Sequence, residues 1–256
     1  MIKMCRMILA LGKVEAGRII DATIKMALDQ TALHEYNQKL GLGSWLHADG
    51  WGLAYLDKHN HWIVNKSTTA IFKDKKIERF RNIKTKVLLL HIRKKAGSGK
   101  SIRNTHPFVA ENLIVETNTP ETYLFCHNGS IEEKITYDRS KYHPSGQTDS
   151  EKLFYSILTD LKNDKNLVEA IRNNLKRYHN LNGTNLILSK NSRSIVAVRK
   201  NKCSTYYRMQ VGKTKDSLIF SSERLPLAEF KWQPLEQGNI VTINHRDLTY
   251  SVDKEK

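Results

Sequence analysis

The sequence predicts a single α+β domain in which two packed β-sheets are flanked by a few helices. The chain has 256 residues, a length that sandwiches and layered α/β folds carry as one domain. Hydrophobic residues make up 39% of it, which supplies a core and excludes a disordered or collagen-like protein. Short apolar runs dominate the pattern, and neither an internal repeat nor a linker divides it.

Apolar runs of strand length predict β-strands, and apolar residues at helical spacing predict helices. Strands are predicted at residues 7–11, 52–56, 61–64, 87–92, 123–126, 185–188, 195–199, 206–211, 218–221, 240–243 and 249–252. Helices are predicted at 18–28, from the Thr148 cap to 161, and at 167–178. The segments 41–51 and 94–104 are predicted as loops, and 244–247 as a tight turn.

The charge balance is strongly basic, with 42 Lys and Arg against 26 Asp and Glu and a net charge of +16. A nucleic-acid partner is one interpretation. The basic residues are scattered in short groups, however, so we favour a solvated surface that suits anionic substrates. No apolar run approaches the roughly 18 residues that cross a bilayer, so no membrane span is expected.

Three cysteines are present, Cys5, Cys126 and Cys203. Their odd number and wide spacing favour neither a disulfide framework nor a zinc site. The first residues lack the features of a signal peptide, so we expect a reducing, cytoplasmic location. No cofactor is predicted.

Cys5 directly follows Met4, and this junction allows two interpretations. The residue is either a partly buried cysteine at the start of a strand or, after translation from Met4 and methionine removal, the first residue of the mature chain. An N-terminal cysteine is a nucleophile with its own base, because an α-amine with a pKa of about 7.7–8.0 can accept the thiol proton.

Two further segments combine polar side chains with loops. In the segment from His47 to Gly52, His47 and Asp49 are a possible metal pair, but we favour a glycine-rich loop around the aromatic wall of Trp51. Arg93 ends a buried strand beside a glycine-rich loop. It either caps the strand or holds a carboxylate with its two-pronged guanidinium.

The last two segments each have a local structural interpretation and a catalytic one. Asn128-Gly129 is foremost a hairpin signal, yet the Asn128 amide and the Gly129 N–H could form an oxyanion hole. Thr148 and Glu151 have the spacing of a helix capping box. Asp149, between them, is not needed for that cap and could bind a substrate ammonium.

Taken in order, these segments resemble the class II glutamine amidotransferases, which are N-terminal nucleophile hydrolases. The motifs are Met-Cys-Arg, His-Ala-Asp-Gly-Trp-Gly-Leu-Ala, Asn-Thr-His-Pro-Phe, His-Asn-Gly-Ser-Ile and Thr-Asp-Ser-Glu. The chain is most similar to small stand-alone members, including the γ-glutamyl hydrolase of ergothioneine biosynthesis. The resemblance implies a four-layer αββα sandwich of two mainly antiparallel sheets. It also implies one glutaminase domain over residues 5–256, with residues 1–4 a misassigned start or a short propeptide.

The resemblance also implies a role for each candidate site residue. Cys5 would be the nucleophile, with Asn128 and Gly129 as the oxyanion hole. Substrate would be bound by Arg93 through its α-carboxylate and by Asp149 through its α-ammonium. Pocket-lining or site-shaping roles are implied for Trp51, Gly52 and His106.

Three alternatives stay open from the sequence. Ammonia released from glutamine could pass to a separate synthase, or the enzyme could be a γ-glutamyl hydrolase that transfers no ammonia. A metal-dependent hydrolase could be built from a set of polar side chains, namely His47, Asp49, His91, His106 and His127. A basic nucleic-acid-binding protein would rest on the net charge alone.

Overall fold

The computed structural model describes residues 5–31, 41, 45–95, 97–114, 119–164, 166–179, 181–199 and 207–254. Within these ranges no helix is long and apolar enough to cross a membrane. Cys203 and Met4 lie outside the described residues.

Two antiparallel sheets form the centre of the fold. The strands are β1 (Arg6–Glu15), β2 (Trp51–Leu56), β3 (Trp62–Ser67), β4 (Lys84–Ile92), β5 (Phe108–Ile114), β6 (Thr119–Ile131), β7 (Leu181–Ser189), β8 (Arg193–Val198), β9 (Gln210–Lys213), β10 (Ser217–Ser221), β11 (Lys231–Pro234), β12 (Asn239–Asn244) and β13 (Tyr250–Lys254). The first sheet has the order β11-β9-β10-β1-β4-β2-β3, and the second β13-β12-β8-β7-β6-β5.

Helices cover the outer faces of both sheets. These are α1 (Ala16–Ala27) on the first sheet, and α2 (Asp149–Asp164) and α3 (Leu167–Arg177) on the second. Two short 3-10 turns occupy Lys75–Phe80 and Ile102–Asn104. The molecule is therefore the predicted four-layer αββα sandwich.

Side chains point alternately to the two faces of each strand, and this alternation determines which residues form the core between the sheets. On β1, Met7 and Leu9 point into the space between the sheets, whereas Ile8 and Ala10 pack under α1. The inner face of the second sheet supplies Cys126 and Ile187 to the same central cluster. Any side chain with the parity of Met7 on β1 or of Cys126 on β6 therefore faces the space between the sheets.

Most predicted elements are present, with longer strands than the apolar runs indicate. The β2–β3 hairpin, the predicted helices and the 244–247 turn are confirmed. The strand predicted at 206–211 is only partly correct: Tyr206 lies outside the described residues, 207–209 are not strand, and β9 begins at Gln210. The strands β5 and β11 were not predicted, because Glu111 and Asn112 interrupt the apolar residues of β5 and the sequence of β11 is mostly polar.

The hairpin interpretation of Asn128-Gly129 is wrong. β6 continues through both residues to Ile131, with Asn128 opposite Asn185 and Gly129 opposite Thr184 on β7. The glycine is required for a close approach instead of a turn. At its φ of 156°, an added Cβ would lie 2.0 Å from the Gly183 carbonyl oxygen.

Candidate active site

Cys5 lies at the entrance to β1, with the parity of Met7, and so faces the space between the sheets. Among the described residues, its Sγ is hydrogen-bonded to backbone atoms of Lys94, accepting from the N–H at 3.4 Å and donating to the carbonyl at 3.6 Å. Burial raises the pKa of the thiol to about 11, although Arg93 and Arg6 act in the opposite direction. Cys5 therefore needs a base to become a thiolate near neutral pH.

A buried ion pair fixes the chain immediately after Cys5. The guanidinium of Arg6 donates to the carboxylate of Glu223, which follows β10, and also to the Cys5 carbonyl at 3.2 Å. Thr31 donates to the other Glu223 oxygen. Arg6 is 2% exposed, so removing either charge would leave the other buried without its partner. This anchor was not predicted: the sequence shows a charged residue, Arg6, next to the apolar run 7–11, but nothing near it indicates Glu223 as its partner.

Asn128 presents an unused amide to the same space as Cys5. It has the parity of Cys126 and is 1% exposed. Neither its Nδ2 nor its Oδ1 has a hydrogen-bond partner among the described residues. Buried amides are almost always hydrogen-bonded, so this exception points to a group that is reserved for a ligand. The Gly129 N–H belongs to the same strand end.

Arg93 lies just past β4 and is hydrogen-bonded to two loops, one before β2 and one directly after Arg93 itself. Its N–H donates to Gly50 O at 2.9 Å, and its own carbonyl accepts from the Asp49 N–H at 3.1 Å. The Nη2 atom donates to Ser98 Oγ at 2.8 Å and to Gly99 O at 3.0 Å. The Nη1 atom is buried and has no partner in the described part of the chain, so it is available for a substrate carboxylate.

Asp149 is the first residue of α2, after the Thr148 cap. Thr148 Oγ1 accepts from the Glu151 N–H at 3.1 Å, as predicted, but the Glu151 carboxylate does not return to the cap. It accepts the N–H groups of Ser145 and Gly146, each at 2.8 Å, so the capping box is half formed. The Asp149 carboxylate lies close enough to Cys5 to raise the pKa of its thiol.

Two further predicted site residues, Trp51 and Gly52, begin β2 and lie on opposite faces of it. Trp51 does not face the space between the sheets: its indole packs with the α1 cluster, and its Nε1 donates to Asp74 at 3.1 Å. It supports the site from behind and does not line it. Gly52 has the inner parity, and an added Cβ would lie 1.8 Å from the His106 carbonyl oxygen, so this glycine admits the backbone of His106.

Three buried histidines lie beside the site. The rings of His91 and His106 are 4.3 Å apart, and His127 immediately precedes Asn128. Burial lowers the pKa of His91 to about 3 and also lowers the pKa values of His106 and His127. All three are therefore neutral at pH 7 and weakly basic, and none is hydrogen-bonded to the Cys5 thiol within the described ranges.

The possible metal pair of His47 and Asp49, which the sequence left as the less favoured interpretation, is not assembled as a ligand set. Asp49 Oδ2 accepts the Lys95 N–H at 2.9 Å. Throughout the described part of the chain, no three His, Cys, Asp or Glu side chains form a group that could hold a metal ion. Residues 47–50 thus form a loop that contacts Arg93 and Lys95, whereas Trp51 and Gly52 begin β2.

The architecture matches solved structures along almost the whole chain. A glutamine phosphoribosylpyrophosphate amidotransferase from Bacillus subtilis aligns with a TM-score of 0.71 at 16% identity, over 98% of this chain and 49% of that one. A class-II glutamine aminotransferase domain protein from Silicibacter pomeroyi aligns with a TM-score of 0.61 at 15% identity, over 98% and 99%. The chain thus shares its fold with these two proteins.

Sequence comparison identifies the family. The model of the class-II glutamine amidotransferases matches residues 20–211, and the chain belongs to that family. A putative glutamine amidotransferase of Haemophilus influenzae is 30% identical over 119 residues, which are 46% of this chain and 38% of that protein. The amidophosphoribosyltransferase of Methanocaldococcus jannaschii is 26% identical over 210 residues, or 78% and 41%.

The chain spans less than half of the length of these curated relatives. The family match also begins after Cys5, so the role of that residue rests on its position in the fold. Family membership favours the amidotransferase interpretation over the metal-dependent and nucleic-acid-binding ones.

Proposed function

We propose that this protein hydrolyses the γ-amide of glutamine, or of a γ-glutamyl compound, through a thioester on Cys5. The observation that carries the proposal is the buried Asn128 amide, which lacks a partner among the described residues and faces the same inter-sheet space as the Cys5 thiol. Arg93 and Asp149, near enough to influence the pKa of that thiol, add one cationic and one anionic group. Glutamine has the complementary charges in its α-carboxylate and α-ammonium.

The chemistry follows from these positions. The α-amine of a mature chain that begins at Cys5 accepts the thiol proton, and Sγ attacks the γ-amide carbon. The oxyanion that forms accepts hydrogen bonds from Asn128 Nδ2 and the Gly129 N–H. As the C–N bond breaks, the amine returns the proton to the leaving ammonia. Water, deprotonated by the same amine, then attacks the thioester, so that glutamate leaves and the thiol is restored.

The α-amine is the proposed base because the thiol and its neighbours offer no better one. The pKa of the partly buried thiol is raised to about 11, and the three nearby imidazoles have lowered pKa values. An α-amine with a pKa of about 7.7–8.0 is well matched to neutral pH. The proposal therefore requires that residues 1–4 are absent from the active enzyme, by initiation at Met4 or by removal of a short propeptide.

The electrostatic assignment gives each end of glutamine one partner. Arg93 Nη1 binds the α-carboxylate, while Nη2 keeps its bonds to Ser98 and Gly99. Asp149 binds the α-ammonium. We place this activity in the cytoplasm, where a reducing environment keeps Cys5 as a thiol.

Incubation with 6-diazo-5-oxo-L-norleucine, a glutamine analogue that alkylates the nucleophile, tests the proposal. We expect one covalent adduct, mapped to Cys5 by peptide mass spectrometry, and protection by excess glutamine. Cys5→Ala should remove both the adduct and ammonia release while the circular dichroism spectrum is unchanged. An adduct on another residue, or full activity of Cys5→Ala, would reject the nucleophile.

Product analysis separates the two fates of the γ-glutamyl group. If the enzyme serves an ammonia-accepting synthase, glutamine should be the better substrate, and ammonia should form faster when that partner is present. If it is a γ-glutamyl hydrolase, a γ-glutamyl amine or peptide should be cleaved with a higher kcat/KM than glutamine. The net charge of +16 favours an anionic substrate or an acidic partner in either case.

A further inference from the structure

Asp149 is held against the end of β6 at two points. Its Oδ2 accepts the Ile131 N–H at 2.7 Å. Its Oδ1 is 3.4 Å from Ser150 Oγ, and Ser150 Oγ is 2.9 Å from His127 Nδ1. The two attachment points on β6, Ile131 and His127, enclose Asn128 and Gly129. The group proposed to bind the ammonium is therefore fixed to the strand segment that carries the proposed oxyanion donors.

Burial and ring stacking hold the contact between His127 and Ser150 in place. His127 is 1% exposed and Ser150 is 5% exposed. The imidazole stacks on Phe125, with ring centroids 6.3 Å apart and an interplanar angle of 24°. Phe125 in turn stacks on Phe154 of α2 at 5.1 Å. The ring orientation is thus set by packing, and Nδ1 is hydrogen-bonded to the Ser150 hydroxyl.

The hydroxyl of Ser150 has one proton to donate, and a carboxylate oxygen accepts hydrogen bonds. A continuous chain forms in the tautomer in which His127 donates from Nδ1 to Ser150 Oγ, because Ser150 then donates its O–H to Asp149 Oδ1. The 3.4 Å contact is long for a hydroxyl and a carboxylate, and contacts of this kind commonly tighten when substrate is bound.

We propose that His127 and Ser150 are positioning residues that orient the Asp149 carboxylate for the α-ammonium of the substrate. The chain of single bonds that links the γ-carbonyl of glutamine to its α-ammonium has a limited reach. Because β6 holds Asp149 through His127 and through Ile131, it sets the distance between the oxyanion hole and the ammonium site. The inference rests on the proposed function. It adds that His127 and Ser150, by orienting Asp149, make the site selective for substrates with a free α-amine.

The test compares Ser150→Ala with Ser150→Thr, which retains the hydroxyl. In Ser150→Ala we expect the KM for glutamine to rise about tenfold, the size expected for one hydrogen bond to a charged group, with kcat much less affected. Ser150→Thr should restore the wild-type KM. If Ser150→Ala does not fold, His127→Leu removes the same contact from the other side and should show the same split between KM and kcat.

Two inhibitors of glutamine turnover show whether the effect passes through Asp149. L-glutamate and glutarate differ in the α-ammonium alone. The inhibition constant of glutamate should rise about tenfold in Ser150→Ala, whereas that of glutarate should stay the same. Equal changes for both inhibitors, or no change for either, would overturn the positioning role. If wild-type protein neither binds glutamine nor releases ammonia from it, the proposed function itself fails, and this inference fails with it.

Discussion

Replacing Asn128 with alanine should separate catalysis from stability. The Asn128 amide is 1% exposed and makes no hydrogen bond within the described residues, so the folded protein bears the cost of burying it. An unsatisfied buried amide costs about 1–3 kcal/mol, and truncation recovers this against a smaller loss of packing. We therefore expect the free energy of unfolding to rise by about 1 kcal/mol, or about 2–4 °C in Tm. Glutamine hydrolysis should fall by about 10²–10³ through loss of an oxyanion donor.

The neighbouring strand provides a matched control. Asn185 is directly opposite Asn128 on β7, is also 1% exposed, and donates from Nδ2 to the Tyr207 carbonyl at 2.6 Å. Asn185→Ala leaves that buried carbonyl without this donor and should lower the free energy of unfolding by about 2 kcal/mol, or about 4–8 °C in Tm. Below its melting temperature it should keep most of its activity.

Thermal melts and ammonia release, measured on the same preparations, check both variants. We expect Asn128→Ala to have a higher melting temperature than Asn185→Ala but a lower rate of glutamine hydrolysis. A melting temperature of Asn128→Ala several degrees below that of wild type would contradict this, since the amide would then be partnered. Hydrolysis of glutamine by Asn128→Ala at the wild-type rate would contradict the oxyanion role.

Three further predictions concern packing and pH. Gly129→Ala should cost roughly 3 kcal/mol or more and abolish activity, because its Cβ would lie 2.0 Å from the Gly183 carbonyl oxygen; Gly99→Ala, with no atom within 4 Å of the added carbon, should melt within about 2 °C of wild type. Burial lowers the pKa of His245 to about 4, so the unfolded chain binds more protons than the folded one between pH 6.5 and 4. This group should therefore lower the free energy of unfolding by about 2 kcal/mol when the pH falls from neutral to 5. Urea titrations of wild type and His245→Gln should show a smaller pH dependence in the variant. The kcat/KM for glutamine should rise with pH through an apparent pKa of about 8, that of the Cys5 α-amine, and a profile governed by a pKa near 11 would instead point to unaided thiol ionisation.

The layers of the fold could be predicted because burial leaves a periodic signal. The run 87–90 is apolar throughout because β4 is buried on both faces, between the sheet-to-sheet core and α1. The helix after Thr148 was marked by its cap as well as by its apolar spacing. Edge strands leave a weaker signal, and β11, with the exposed or half-buried residues Lys231–Pro234, was missed for that reason.

The candidate site could be predicted in its residues but not in its geometry. Local turn statistics favoured a hairpin at Asn128-Gly129, whereas the Gly129 backbone is required by contact with Gly183, which is distant in sequence. Trp51 was expected to line the pocket, but strand parity turns its indole to the α1 side. The Arg6–Glu223 ion pair joins two ends of the chain, and no local pattern predicts such a partner.

The intact mass of the active protein is the decisive measurement for the proposed mechanism. We expect the mature chain to begin at Cys5 and 6-diazo-5-oxo-L-norleucine to add once to this residue. The fraction of chains that begin there should equal the fraction that is active. A chain that retains Met1 and still hydrolyses glutamine would contradict it, because the nucleophile would then have no α-amine to accept its proton.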